Sequence, residues 1–400
     1  MTSGFINKYK NRILAFVTLN MELKIKQRIA LSTYFFLSGL CFATWASRIP
    51  TIKTFFNFNE AELGTVLLAM PIASMIGLPI SGWIVSKFNS RGPLLISFIF
   101  FAIALLFIGY AKTSFLLVAA ISAFAFFMRI LNIAMNAQSI TLQKKFKKKI
   151  VSSFHGLWST GGLIGVGYST LMVKTGVSIE HHLLQISILT LIITTIAYFY
   201  SLKDDKSTTG NKLIFGKPDP FIFYLGLLVF FAAVCEGGMF DWSGVYFKEV
   251  IKEDVFTYGY LLFMTCMAIS RFFSDRLMDF IGMPKTFILS AVLIASGIFT
   301  AIVFPTFWPA LIGFCLVGIG TAPIFPMTFI LAGTSNKYSP GMAISIIATY
   351  GILGMLIGPP LIGYLAHAVG LKYAFYIFVV SGLSLIPFSQ FLFRYQKKVT

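Results

Sequence analysis

Apolar residues fall along this chain in runs of about twenty, separated by short polar and basic segments. Twelve runs stand out, at about 28–50, 61–86, 92–111, 114–141, 151–174, 183–202, 220–247, 256–279, 285–304, 307–332, 340–367 and 371–394. As a helix, such a run crosses a bilayer core of about 30 Å. Helices also satisfy their own backbone polar groups in lipid. The pattern therefore predicts an all-α integral membrane protein with twelve transmembrane helices.

The polar segments carry a second pattern. With the N-terminus placed inside, 23 of the 32 basic residues fall on the inner side, among them the run KKFKKK at 144–149. Seven fall outside (Arg48, Lys53, Lys112, Lys174, Lys248, Lys252 and Lys372), while Arg129 and Arg271 lie within spans. Basic residues collect on the cytoplasmic side, so both termini are expected there. The longest polar interior segment, SLKDDKSTTGNKLIFGKPDP at 201–220, divides the spans six and six. The expected organisation is a cytoplasmic tail at 1–26, a six-helix bundle at 27–202, a cytoplasmic linker at 203–219, a second bundle at 220–394 and a tail at 395–400.

The two halves match at a shift of 193 residues. Gly82 falls on Asp275, and Ser152, Gly161 and Gly165 fall on Ser345, Gly354 and Gly358. One offset that aligns two separate helix pairs indicates duplication, and parallel six-helix repeats are a transporter architecture.

Composition removes other classes. Charged residues make up 12% of the chain, about half of the ~25% usual for soluble domains. The net charge of +18 sits in short loops, so it reports topology and no nucleic-acid partner is expected. Cys41, Cys235, Cys266 and Cys315 lie in apolar runs without a CxxC pair, and the four histidines lack metal-ligand spacing, so neither disulfides nor a metal site is expected. No GxxxxGK[ST] loop or GxSxG elbow occurs. Enzyme activity and a cofactor are not expected. Residues 1–26 offer no convincing signal cleavage site, and Met21 is an equally plausible start.

Twelve spans, the repeat and a basic loop after span 2 together resemble the major facilitator superfamily. Its span 2–3 motif, GxLADRxGRR, is degenerate here. Gly82, Lys87 and Arg91 match, but Ser86 replaces the acid; in the second half Asp279, Gly282 and Lys285 match and Phe280 does not. The resemblance implies an inner gate at Lys87, Arg91, Arg271, Asp275 and Asp279. Within that gate Arg271 and Asp275, spaced i to i+4, are expected to pair. The segments WASRIP (45–50), FHGLWSTGG (154–162), EGGMFDW (236–242), SRFFSDRLMD (270–279) and GPPLIGYL (358–365) resemble the YbjJ-type branch of bacterial inner-membrane members. Arg129 departs from that branch, where a small residue is expected.

Charged groups inside lipid are rare and by default functional. Of fourteen acids, only Glu236 and Asp241 lie deeper than the first turns of a span. Spans 1, 4, 7 and 8 hold Arg48, Arg129, the two acids and Arg271, on helices the fold resemblance places around a central cavity. Arg48 and Asp241 are equivalent under the 193-residue shift, so they are expected to form an outer gate; the alternative is two snorkelling side chains. Glu236, deeper by five residues, is the candidate proton-coupling acid, with solute contact or a structural role as alternatives.

Arg129, Asn132 and Asn136 share one helical face, fit either to bind a polar or anionic solute or to glue helices together. Together with Trp45, His155, Trp158 and Tyr350 they form the expected cavity lining, His155 doubling as a candidate proton relay. On span 11, Gly351, Gly354 and Gly358 permit close packing, and Pro359–Pro360 interrupts the hydrogen-bond ladder.

The reading is a monomeric, proton-coupled symporter of the bacterial inner membrane for a small sugar-like solute or organic acid. Its partners are that solute, protons and the bilayer. Proton-coupled export remains the alternative, although the superfamily exporters' GxxxGPxxGG signature is absent from span 5, which reads GGLIGVGYS. A transporter-fold sensor is the remote alternative, and the short tails and middle loop offer it no soluble module.

Overall fold

The computed structural model describes the backbone of residues 2–146, 150–203, 219–338 and 340–399. It describes their side chains except at 2–21, 86, 152, 275, 340–342, 345 and 398–399. Residues 204–218 of the expected linker, Lys147–Lys149 of the basic run, and the side chains of Ser86, Ser152, Asp275 and Ser345 therefore lie outside it.

Every described element is a helix. The first half comprises α1 (Thr2–Ser47), α2 (Ile49–Phe56), α3 (Glu60–Leu67), α4 (Ala69–Lys87), α5 (Arg91–Tyr110), α6 (Ser114–Gln143), α7 (Val151–Lys174) and α8 (Ile179–Tyr200). The second comprises α9 (Pro220–Glu249), α10 (Tyr258–Ile281), α11 (Met283–Val303), α12 (Phe307–Thr321), α13 (Ile324–Ala332), α14 (Pro340–Val369), α15 (Leu371–Ala374) and α16 (Tyr376–Val399). Four of the twelve expected spans are broken helices: α1–α2, α3–α4, α12–α13 and α15–α16. Pro50 opens α2 and Pro323 stands at the α12–α13 break, where a missing N–H removes a ladder bond. Helix α1 also runs back through the expected tail.

Among the described residues, ten candidate spans are long and apolar enough to cross a membrane by length and composition. The remaining two, α7 and α10, are equally long, 24 residues each, or about 36 Å at 1.5 Å per residue. They are more polar because they carry the Ser, Thr and His of α7 and the arginines and acids of α10. Helix starts are set locally. Asn59 and Glu62 form a capping box for α3, Thr113 and Ser178 cap α6 and α8, and Asp219 caps α9 ahead of Pro220. Gly282 and Gly370, at φ 79° and 88°, turn the chain into α11 and α15.

The repeat seen in sequence recurs in packing. Helix α7 lies along α1 and α14 lies along α9, the two most extensive helix pairs. A Cβ at Gly161 would overlap the Phe36 carbonyl oxygen, and one at Gly165 would meet the Leu40 oxygen at 2.7 Å. In the second half, Cβ atoms at Gly354 and Gly358 would meet the Phe230 and Val234 oxygens at 2.5 and 3.8 Å. Gly161 thus plays on α1 the part that Gly354 plays on α9, as the 193-residue shift predicts, whereas Gly358, unlike Gly165, leaves ordinary contact distance for a side chain.

Overpacking such a contact costs about 1–3 kcal/mol. Gly161→Leu and Gly354→Leu are expected to lower the thermal midpoint in detergent by several degrees. Gly167, with open space within 4 Å, is the control: Gly167→Ala leaves the midpoint unchanged or raises it. Scanning fluorimetry reads the difference.

Candidate functional site

The halves meet in two layers. One lies at the end of the bundle opposite the chain termini. There α2 and α3 of the first half face α9 and α14 of the second. A Cβ at Gly64 would stand 3.1 Å from Gly363 Cα and the Pro359 oxygen, and one at Gly363 would stand 2.5 Å from the Glu60 oxygen. Backbone therefore touches backbone across the halves. Thr65 Oγ1 and the Tyr364 hydroxyl sit 3.1 Å apart. Lys53, 7% exposed, reaches Glu60 at 3.0 Å and also Glu249 of the opposite half. Lys248 Nζ returns the contact, donating to Thr54 Oγ1 at 2.6 Å and the Pro50 oxygen at 3.3 Å.

This layer corrects the expected outer gate. Arg48 and Asp241 do not pair. Arg48 stands at the α1–α2 break and is buried. Its Nε donates to His182 Nδ1 at 3.0 Å and its Nη2 to the Val177 oxygen at 2.9 Å, both within its own half. Asp241 is half-buried and has no hydrogen bond or ion pair among the described residues. The latch that does span the halves, Lys53–Glu249, comes from residues that read in sequence as ordinary charged helix ends. Their one signal was position: both close the membrane run of equivalent spans 1 and 7.

The second layer lies at mid-depth. Glu236 sits near the middle of α9, Arg271 near the middle of α10 and Ser159 on α7. Arg271 Nη2 donates to Glu236 Oε1 at 3.2 Å, and its Nη1 to Ser159 Oγ at 3.2 Å. One guanidinium thus holds an acid of its own half and a hydroxyl of the other. Glu236 is 6% exposed, and its Oε2 is buried without a partner among the described residues. Arg271 of the expected inner-gate pair turns to Glu236; the side chain of Asp275, its expected partner, lies outside the described residues. Gly162 packs against Met264 of α10 in the same layer.

Among the described residues, the remaining inner-gate residues make no contact across the halves. Arg91 donates to the Tyr198 oxygen and Ser201 Oγ and lies over the Tyr198 ring, all within the first half. Lys87 lies over Trp83 and Phe88 of its own segment. Asp279 is exposed. Toward the termini, Gly156 faces open space and His155 and Thr160 are exposed. Among the described residues, the conformation is thus closed at the far end and open on the side of the termini.

The expected cavity residues divide. Arg129 and Asn132 are half-buried at mid-depth on α6, and Arg129 Nε donates to Ser74 Oγ of α4 at 2.7 Å. Asn136 Nδ2 donates to the Asn132 oxygen within α6. His155 packs edge-on to Phe35, and Trp158 lies near Phe42. Trp45 is buried, with Nε1 3.1 Å from Met70 Sδ, so it serves packing between α1 and α4. Tyr350 covers Gly226, where a Cβ would meet its ring at 2.6 Å. It belongs largely to the α9–α14 seam.

The Lys53–Glu249 latch should bias the far end toward closure. An ion pair of this partial exposure contributes up to about 1 kcal/mol, a shift of a few-fold in population. Glu249→Gln and Lys53→Met are each expected to raise maleimide labelling of a cysteine placed at Thr54 by that factor, and the double variant to add little. Full additivity would show that the two residues act independently.

The model of the Major Facilitator Superfamily matches residues 31–283 and 251–399. An uncharacterized MFS-type transporter of Yersinia pestis is 29% identical over 353 residues, covering 88% of this chain and 92% of that protein. Membrane protein MosC of Rhizobium meliloti is 30% identical over 373 residues, covering 92% and 90%. Among solved structures, a bacterial homolog of the human lysosomal transporter Spinster, inward-facing and unoccupied, superposes with a TM-score of 0.73 at 13% identity, covering 93% of this chain and 98% of that one. The nucleoside transporter NupG gives 0.70 at 13% identity, covering 93% and 98%.

Proposed function

Because the chain belongs to the major facilitator superfamily, we propose that it is a proton-coupled symporter. It carries a small polar organic solute, sugar-like or an organic acid, across the bacterial inner membrane by alternating access. Both termini are cytoplasmic on this reading, so the Lys53 latch closes the outer face and the open end faces the cell interior. The narrower kinship with the YbjJ-type branch belongs to the same proposal and rests on the motifs WASRIP, FHGLWSTGG and EGGMFDW.

The observation that carries the coupling is the half-satisfied acid at mid-depth. Glu236 Oε1 is held by Arg271 while Oε2 has no partner among the described residues. An uncompensated buried carboxylate oxygen is costly, and a proton delivered there exchanges the cost of a charge for the smaller cost of an unpaired hydroxyl. Protonation also releases the charge that holds Arg271, whose other nitrogen is bonded to Ser159 across the halves. Loss of the acid's charge therefore bears directly on a contact between halves. A group that binds a proton better in one conformation than the other biases the exchange between them.

Proteoliposomes holding a pH-sensitive dye, challenged with sugars, sugar acids, amino acids, nucleosides and lipophilic cations, test the reading. Internal acidification on adding an outside solute establishes symport. Alkalinisation of an acid-loaded interior establishes antiport and export instead. Glu236→Gln is expected to lose gradient-driven accumulation at least tenfold while keeping solute exchange. Normal accumulation by the variant would remove Glu236 from the coupling.

A further inference from the structure

The arginines inside the spans are not treated alike. Arg271 meets the carboxylate of Glu236. Arg48 meets the Val177 carbonyl and His182. Arg129 meets only a neutral hydroxyl, Ser74 Oγ, and among the described residues no carboxylate lies within 4 Å of it. A guanidinium held at the middle of a membrane is costly unless its charge is balanced, and the described residues supply no balancing group.

Its surroundings fix which part of the charge is free. Gly77 of α4 lets the stem lie close, since a Cβ there would stand 3.3 Å from Arg129 Cβ. Nε is spent on Ser74, which fixes the plane of the guanidinium. The two Nη groups have no hydrogen bond among the described residues, and the side chain is half-buried. A fixed guanidinium with its two terminal nitrogens free matches the two oxygens of a single carboxylate. Asn132, one turn along the same face, makes no side-chain hydrogen bond among the described residues and offers both a donor and an acceptor.

The geometry points to a carboxylate site. Arg129 is the residue that binds the charged end of the substrate, and Asn132 reads a neighbouring hydroxyl or amine. The inference rests on the transporter reading above and narrows its solute from sugar-like or acidic to carboxylate-bearing. The charges then sum simply. With Glu236 and Arg271 cancelling each other, Arg129 leaves one positive charge at mid-depth, which one monocarboxylate neutralises. Carried with one proton, a monocarboxylate makes the full cycle electroneutral.

Matched pairs of probes test this in purified, reconstituted full-length protein. Glucuronate is set against glucose, lactate against glycerol, and alanine against ethanolamine, with binding read by thermal shift and transport by counterflow. A carboxylate is expected to bind at least tenfold tighter than its neutral or cationic counterpart. Arg129→Gln should lose that preference and Arg129→Lys should keep part of it. Ser74→Ala, which frees the guanidinium plane but leaves the charge, should weaken carboxylate binding several-fold while keeping the preference over the neutral counterpart. If Arg129 is only a helix tie, Ser74→Ala and Arg129→Gln will both lower the thermal midpoint and neither will change the preference. A neutral probe that moves equally in wild type and Arg129→Gln would overturn the substrate class and leave the transporter reading standing. Monodisperse protein that binds and moves nothing in either set would remove both.

Discussion

The close approach of α7 to α1 and of α14 to α9 is the constraint on which the rest of the structure depends. Lipid tails are as apolar as leucine, so no hydrophobic gain draws one helix to another within the bilayer; close packing and polar contacts must do it. Gly39, Gly161 and Gly165 remove the side chains that would hold α1 and α7 apart, and Gly354 does the same against α9. The long axis of each half is set there, and α4, α6 and α8 or their counterparts pack around it. The far-end contact at Gly64 and Gly363 uses the same device between halves, over a much shorter length. On the proposed reading the short seam opens, while the long seams hold each half together.

Much of this was legible in the sequence. Twelve runs, two halves and the 193-residue shift follow from hydrophobicity and small residues, and the seams of Gly161 and Gly354 were visible as matched positions. The broken spans were harder to read. An apolar run stays apolar across a break, so α12 and α13, divided at Pro323, read as one.

The site was legible as residue types but not as pairs. The repeat put Arg48 and Asp241 at equivalent depths, and equivalence of depth was mistaken for contact. Arg48 sits on a helix break, where the 100° per residue of α1 no longer predicts a direction, and it turns inward to His182 and Val177. Arg271 shows what local spacing leaves out. The i, i+4 spacing to Asp275 is a valid local expectation, but it says nothing of the contacts to two neighbouring helices that the guanidinium makes. Lys53 and Glu249 were passed over because charges at helix ends are usually solvated. Only the folding of α2 against α9 takes Lys53 out of water.

The two layers between the halves differ in kind, and that difference gives the proposed cycle its order. At the far end the contacts are several: Lys53 with carboxylates of both halves, Lys248 with Thr54, and backbone against backbone at Gly64. At mid-depth the polar link named between halves is one hydrogen bond to a neutral hydroxyl, made by an arginine whose charge is balanced from its own side. A cooperative seal at one end with a weak tie in the middle favours rocking about the middle over wholesale separation. On the proposed reading, the proton acts on the weak tie because a single charge suffices to change it. The solute's carboxylate, bound to Arg129 on the first half, leaves Arg271 on the second free to follow Glu236. Opening of the outer face then requires that the Lys53 latch be broken by movement of the halves as rigid bodies, which the glycine seams within each half make possible.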